Sequence, residues 1–264
     1  MEDRIEYSTA TLLEMLYKQD IKATFFVLGY VADKHPNLIR QIVSAGHEIG
    51  SHGYWHKMIS RQTKVEFKEE LLSSKHVLED ITGRQINLFR APSWSISADT
   101  LWALEILEEE GFRCDSSIQP FKTPLSGIVG APVGPYYPII RGRKLNLLEF
   151  PPTVLQIGFF RIPFAGGFYF RALPRRMIIH ALSVVNKKHP GMVYVHPWEI
   201  DTGQPRVDVP TLNKLIHYLN LDKNIYKLEH LLMSFKFVPL GCLLDYCHYP
   251  SIPIIKEQDI KHGD

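Results

Sequence analysis

The sequence predicts an α/β fold built on parallel strands. Apolar stretches at helical spacing alternate with short β-rich runs through the first 115 residues, glycines fall where those helices stop, and 264 residues suit one large α/β domain. Strands that alternate with helices are joined by right-handed crossovers, which leaves a doubly wound sheet or a β/α barrel. In both architectures chemistry gathers at the carboxyl ends of the strands.

Leu12, Leu13 and Leu16 place a helix within residues 8–18, and the run Ala23 to Leu28 reads as a buried strand. A second helix carries Leu38, Ile39, Ile42 and Val43, stops at Gly46, and leads into a short strand from His47 to Gly50. Thr63 and Glu66 form a capping-box pattern before a helix with Phe67, Leu71 and Leu78; it ends at Gly83, ahead of a strand from Ile86 to Arg90. Ser97 can cap a helix with Leu101, Leu104 and Leu107, closed by Gly111 and followed by a strand from Phe112 to Asp115. Residues 116–170 break the rhythm, holding 15 of the chain's 35 Gly and Pro, and are expected to be a substrate-facing loop or hairpin insertion. Beyond them the sequence predicts a helix over 173–188, a strand at Met192–Val195, a helical stretch over 211–235 packed on the outside, and a fraying tail from Pro250. A barrel normally opens with a strand, yet only Met1 to Tyr7 precede the first helix, so a first strand is expected to be missing.

Composition narrows the function classes. Thirty Lys and Arg against 28 Asp and Glu leave a formal charge of +2, too weak a field for nucleic acid or an anionic membrane as the main partner. No apolar run reaches the ~18 residues of a membrane helix, and Met1-Glu2-Asp3-Arg4 is too charged to open a secretory signal, so the expected location is the cytoplasm. Cys114, Cys242 and Cys247 form no Cys-x-x-Cys motif and are read as structural thiols of a reducing compartment.

His52 and His56 stand four apart just after the second predicted strand. On a helical turn or tight helical loop that spacing aims two imidazoles the same way, as a divalent ion with nitrogen ligands requires. Arg90, Asp115 and His196 each end another predicted strand, and parallel strands deliver their ends to one rim. A metal pair, a fixed cation, a carboxylate and a separate histidine make up most of a metal-assisted hydrolysis site. Taken singly, Arg90 reads as a surface ion pair, Asp115 as the cap of a turn and His196 as a core histidine. Trp94, Tyr54, Trp55, Tyr169 and Trp198 could stack on sugar faces; core packing is the rival reading for each.

Thr24-Phe25-Phe26, Ser51-His52-x-x-x-His56, Arg90-x-Pro92 and Val195-His196-Pro197 resemble the successive motifs of the polysaccharide deacetylases, carbohydrate esterase family 4, in the right order from about Ile5 to Asp201. Glu149-Phe150-Pro151-Pro152, His196-Pro197-Trp198-Glu199 and His217-Tyr218-Leu219-Asn220 resemble a bacterial subgroup associated with exopolysaccharide loci, which carries a C-terminal extension. The resemblance implies a distorted parallel β/α barrel over residues 1–201 with the insertion at about 116–170, and a helical extension and tail over 202–264 packed on it. It implies a hydrolase that removes acetyl groups, N-acetyl before O-acetyl, from an acetylated polysaccharide or oligosaccharide, with a divalent ion, zinc foremost. Carried over, His52 and His56 bind the metal, Arg90 orients the catalytic carboxylate, His196 is the general acid, and Asp115 is a loose match to the acid that tunes it. A backbone N–H near Ser93 would help hold the oxyanion, and Ser93, Trp94, Tyr169 and Trp198 would meet substrate. The family's first motif, an acidic pair supplying the base and the third ligand, would precede Met1; Glu2 and Asp3 lack the apolar strand that would place them. The expectation is therefore an amino-terminally shortened deacetylase. Its rivals are a carbohydrate-binding remnant without turnover and a metal-free barrel with structural histidines.

Overall fold

The computed structural model describes residues 4–208, 210–246 and 248–254. The chain divides into two compact units, Met1–Ala23 with Thr153–Val238, and Thr24–Pro152 with Pro239–Asp264. In chain order, α1 (Ile5–Lys18) is followed by β1 (Thr24–Val27), α2 (Gly29–Lys34) and α3 (Pro36–Ser44) by β2 (Glu48–Ser51), α4 (Lys64–Thr82) by β3 (Leu88–Phe89), and α5 (Trp102–Glu109) by β4 (Cys114–Asp115). Then come β5 (Tyr137–Ile140), β6 (Arg143–Lys144), β7 (Leu148–Glu149), β8 (Val154–Ile157) and β9 (Phe160–Pro163). The remaining elements are α6 (Gly167–Ala172), α7 (Arg175–Val185), α8 (Thr211–Tyr218), α9 (Leu221–Ser234), α10 (Cys242–Tyr246) and β10 (Ser251–Pro253).

The unit that begins at Thr24 is organised by a five-stranded parallel sheet in the order β1-β2-β3-β4-β7. That order decides between the two architectures left open by the sequence. A doubly wound sheet reverses at a switch point, whereas each strand here joins the same growing edge, as in a β/α barrel. Local chemistry explains the helices between the strands. Thr63 and Glu66 close the capping box of α4, Gly83 ends it in the left-handed region at φ 63°, and Phe67, Leu71 and Leu78 are all buried. Leu38, Ile39 and Ile42 of α3 and Leu104 and Leu107 of α5 are buried in the same way.

The glycine- and proline-rich segment is hairpin-like, with β5/β6 and β8/β9 antiparallel, and it also supplies β7 to the parallel sheet. Two-residue strands flanked by turns carry no readable period, which is why β7 escapes a sequence pattern. Three expectations are corrected. Met192–Val195 is not a strand: only Tyr194 makes a bridge, to Gly166, while the Met192 N–H donates to the Thr153 hydroxyl at 2.6 Å. The Tyr194 ring packs so closely on Gly166 that a Cβ there would lie 2.4 Å from it. The stretch 211–235 is two helices, broken at Asn220 with φ 51°. Ser251–Pro253 of the expected tail is a strand, paired in parallel with Tyr137–Ile139, while residues 255–264 lie outside the described residues.

The other unit packs Phe164, Phe170, Ile178, Leu182 and Leu231 into its own core, with α7 and α9 supplying the apolar faces. Among the described residues no helix is long and apolar enough to cross a membrane. Cys114 is buried and Cys242 exposed, both as free thiols; Cys247 lies outside the described residues.

Candidate functional site

The parallel register aligns Ser51, Phe89, Asp115 and Glu149 across four neighbouring strands, so the residues just beyond them leave the sheet at one edge. His52 follows Ser51, with its N–H donating to the Val27 carbonyl at 2.9 Å. The chain then turns through Gly53, whose φ of 77° suits a residue without a Cβ and whose carbonyl accepts from the Gly29 N–H at 2.9 Å. His56 adopts φ 60°. The expected helical turn is thus an irregular loop, because left-handed residues at both Gly53 and His56 are incompatible with one. The loop still brings the imidazoles together, with centroids 5.3 Å apart and planes at 72°. His52 Nδ1 lies 2.6 Å from the Arg90 carbonyl oxygen. A carbonyl only accepts, so Nδ1 carries the proton and the lone pair of the neutral ring is on Nε2.

Arg90 leaves β3 at the same level. Its N–H donates to the Ser51 carbonyl, one of its guanidinium nitrogens donates to Ser116 Oγ at 3.1 Å, and the guanidinium lies 4.2 Å from the centroid of the Phe26 ring and 4.5 Å from that of Trp94. Two aromatic faces flank this cation. Ser93 and Trp94 both adopt φ 55°, a consecutive pair of left-handed residues outside glycine, and such strain clusters at functional turns.

Asp115 is fully buried and accepts a hydrogen bond from the Ser117 hydroxyl, which in turn accepts from the Ala91 N–H. As register partners on parallel strands, Asp115 and Glu149 present their side chains to the same face. Glu149 Oε1 accepts from the N–H groups of Ser117 and Ile118 at 3.2 and 2.9 Å. The remaining oxygens, Asp115 Oδ2 and Glu149 Oε2, accept from no donor among the described residues. Burial pushes Asp115 up to about 6, against the hydrogen bonds from Glu149 and Ser117 and the charge of Arg90. Burial and the Asp115 charge push Glu149 well above the usual carboxylate range. Sequence reasoning passed over Glu149, which stood in plain view in Glu149-Phe150-Pro151-Pro152.

His196, Trp198 and Tyr169 belong to the other unit. His196 does not end a strand; it follows the single Tyr194 bridge and precedes a 3-10 turn over Pro197–Ile200. Its imidazole is half exposed and its Nδ1 lies 3.1 Å from Glu199 Oε2, which also accepts from the His196 N–H at 2.9 Å. Glu199 Oε1 pairs with Nε of the buried Arg171 at 3.0 Å. Burial alone would raise Glu199, but the His196 bonds and the charges of His196 and Arg171 outweigh it and hold the carboxyl below its ordinary range. The Trp198 ring stacks between His196, 5.8 Å away, and His217, 4.1 Å away. Tyr169 is partly exposed and meets Phe168 edge-on. Neither Glu199 nor Arg171 is a candidate in the sequence reading; the Glu199 carboxylate three residues after His196 was the available signal.

His52 and His56 fit a divalent ion as two of its ligands. The chemistry of the donor set is right, and the Nδ1 bond of His52 to a carbonyl is the arrangement that orients metal-binding imidazoles. Among the described residues no group of three or more His, Cys, Asp and Glu is assembled for a metal, and Glu2 and Asp3 lie outside the described residues.

Two family descriptions match the sequence: "Polysaccharide deacetylase" over residues 2–112, and "Domain of unknown function (DUF3473)" over residues 116–245. A peptidoglycan-N-acetylglucosamine deacetylase of Bacillus cereus is 33% identical over 98 residues, covering 37% of this chain and 36% of that protein. A peptidoglycan deacetylase of Helicobacter pylori is 31% identical over 157 residues, covering 55% of this chain and 53% of that protein. The chain therefore spans from about a third to about half the length of these relatives. A crystal structure from Mycobacterium smegmatis, described as a proposed polysaccharide deacetylase, superposes with a TM-score of 0.60 at 20% identity, covering 90% of this chain and 76% of that one. That likeness speaks to the fold, which is of the (β/α) barrel class.

Proposed function

We propose, from the match of residues 2–112 to the polysaccharide deacetylase family, that the chain hydrolyses acetyl groups, N-acetyl in preference to O-acetyl, on a polysaccharide or oligosaccharide. The observation that carries this reading is the His52/His56 pair with the His52 tautomer fixed by the Arg90 carbonyl. His52 and His56 would hold the divalent ion, for which zinc suits two nitrogen donors best. When bound, such an ion supplies Lewis acidity towards an acetyl carbonyl and makes water a usable nucleophile near neutral pH.

The chain's own residues do the rest. Arg90, clamped between Phe26 and Trp94, is a fixed positive charge for orienting a carboxylate. The strained Ser93 turn offers a backbone N–H for the oxyanion. With Nδ1 committed to Glu199, His196 presents Nε2 as the group that protonates the departing amine or alkoxide, releasing acetate and a free amino or hydroxyl sugar. Trp94, Trp198 and Tyr169 offer aromatic surface for sugar faces.

The test couples metal binding to turnover. Chelator-stripped protein is titrated with Zn²⁺ by calorimetry, and acetate release is followed on acetylated chitooligosaccharide and peptidoglycan fragments. Stoichiometric binding, about 10²-fold weaker after His52→Ala with His56→Ala, together with metal-dependent acetate release, is the expected result. Equal metal binding by the double variant would exclude these histidines as ligands, and glycan affinity without turnover would favour the carbohydrate-binding remnant.

A further inference from the structure

We propose that Glu199 is the positioning residue for His196: its carboxylate fixes the imidazole so that Nδ1 keeps its proton and Nε2 is the nitrogen that exchanges protons with the leaving group. The inference rests on the reading of His196 as the general acid. Three observations, all within one unit, support it. Glu199 Oε2 receives both the His196 side chain and its backbone N–H, at 3.1 and 2.9 Å, so ring and backbone are tied to one oxygen. The other oxygen is tied to Arg171, which is 2% exposed and also donates to the carbonyls of Ile216, His217 and Leu219, so the carboxylate cannot rotate away without breaking a buried network. The Trp198 ring, stacked on His196 at 21° between planes, limits rotation of the imidazole about its own axis.

The resemblance gives the tuning role to Asp115, whose Oδ1 accepts from the Ser117 hydroxyl, whereas the carboxylate that meets the His196 imidazole is that of Glu199. Glu199 also lies three residues after its histidine, so the pair is set by one short turn. In the proposed step the imidazolium gives its Nε2 proton to the departing nitrogen or oxygen as the bond to the acetyl carbon breaks. The ring is left neutral with its proton on Nδ1, the tautomer that a carboxylate acceptor stabilises.

A residue that only caps the 3-10 turn would leave the tautomer unchanged, so the tautomer is the readout. The imidazole nitrogens of His196 are assigned in the ¹⁵N-labelled full chain at alkaline pH, where the ring is neutral. The wild type is expected to show a protonated Nδ1 and an unprotonated Nε2. In Glu199→Gln, Arg171 draws the amide oxygen and the NH₂ group turns to His196, which should move the proton to Nε2. On a substrate that the wild type turns over, kcat should fall on the order of 10²-fold with KM nearly unchanged. The double variant Glu199→Met with Arg171→Met replaces the buried pair by apolar volume and should show the same tautomer change if the single variant folds poorly. An Nδ1-protonated ring in both variants would overturn the proposal. Absence of acetate release from the wild type would instead count against the deacetylase reading, while the tautomer would still decide what Glu199 does.

Discussion

Two buried carboxylate systems, one in each unit, lose the same hydration and end in opposite states. Asp115 and Glu149 sit on adjacent strands with each other as principal neighbours, and burial drives both upward. Glu199 is as deeply buried but meets Arg171 on one oxygen and His196 on the other, and it stays ionised. Desolvation is common to both, so the partner decides the charge. An acid pair suits a rigid scaffold under a loop, whereas an anion with a fixed cation behind it suits a group that must hold a histidine.

The largest effect should come from removing the cation. Arg171→Met leaves Glu199 buried without its counter-charge and three carbonyls without a donor, and should cost about 3–5 kcal/mol in urea denaturation. Adding Glu199→Met should restore much of that loss; an additive double variant would mean that the pair is not a unit.

The second effect is a pH dependence of opposite sign in the two units. Asp115 has its folded value raised from 3.8 to about 6, so its contribution is fully present below the unfolded value and is lost as pH rises through about 6. At about 1.4 kcal/mol per unit this is a loss on the order of 3 kcal/mol between pH 4 and 7, and Asp115→Asn should flatten it. Glu199, held below its ordinary range, contributes above its unfolded value and loses that contribution as pH falls through the folded one. Denaturation midpoints of wild type, Asp115→Asn and Glu199→Gln followed from pH 7 down to well below pH 4 check both signs, and an unchanged slope in Asp115→Asn would contradict the raised Asp115 value. The smallest effect is Ser117→Ala, which removes the bond to Asp115 and the acceptor of the Ala91 N–H and should cost about 1–2 kcal/mol by thermal denaturation.

Much of this molecule was legible in the chain because its signals are local. The Thr63/Glu66 box, Gly83, the apolar stripes of α3, α4 and α5, and the parallel alternation all depend on neighbours within a few residues, where spacing and side-chain chemistry suffice. The candidates His52, His56, Arg90 and Asp115 could be named for the same reason, since each follows or ends a recognisable strand. The loop that joins His52 to His56 was not legible, because its shape depends on the left-handed turns at Gly53 and His56 and on carbonyl partners from β1 and β3. Nor was β7, two residues long, or the single bridge that replaced a strand at Met192–Val195.

By itself, then, the sequence determined most of the helices, their alternation with the first four parallel strands and the residues standing at those strands' ends. Only the tertiary structure decided which carboxyl group meets which partner: register set Asp115 against Glu149, and the packing of α6 brought Arg171 to Glu199. The physical reason is range. Periodicity and capping act over one or two turns of chain, whereas the ionisation of a buried acid depends on whatever the fold places within hydrogen-bonding distance, 28 residues away for Arg171 and 34 for Asp115 and Glu149.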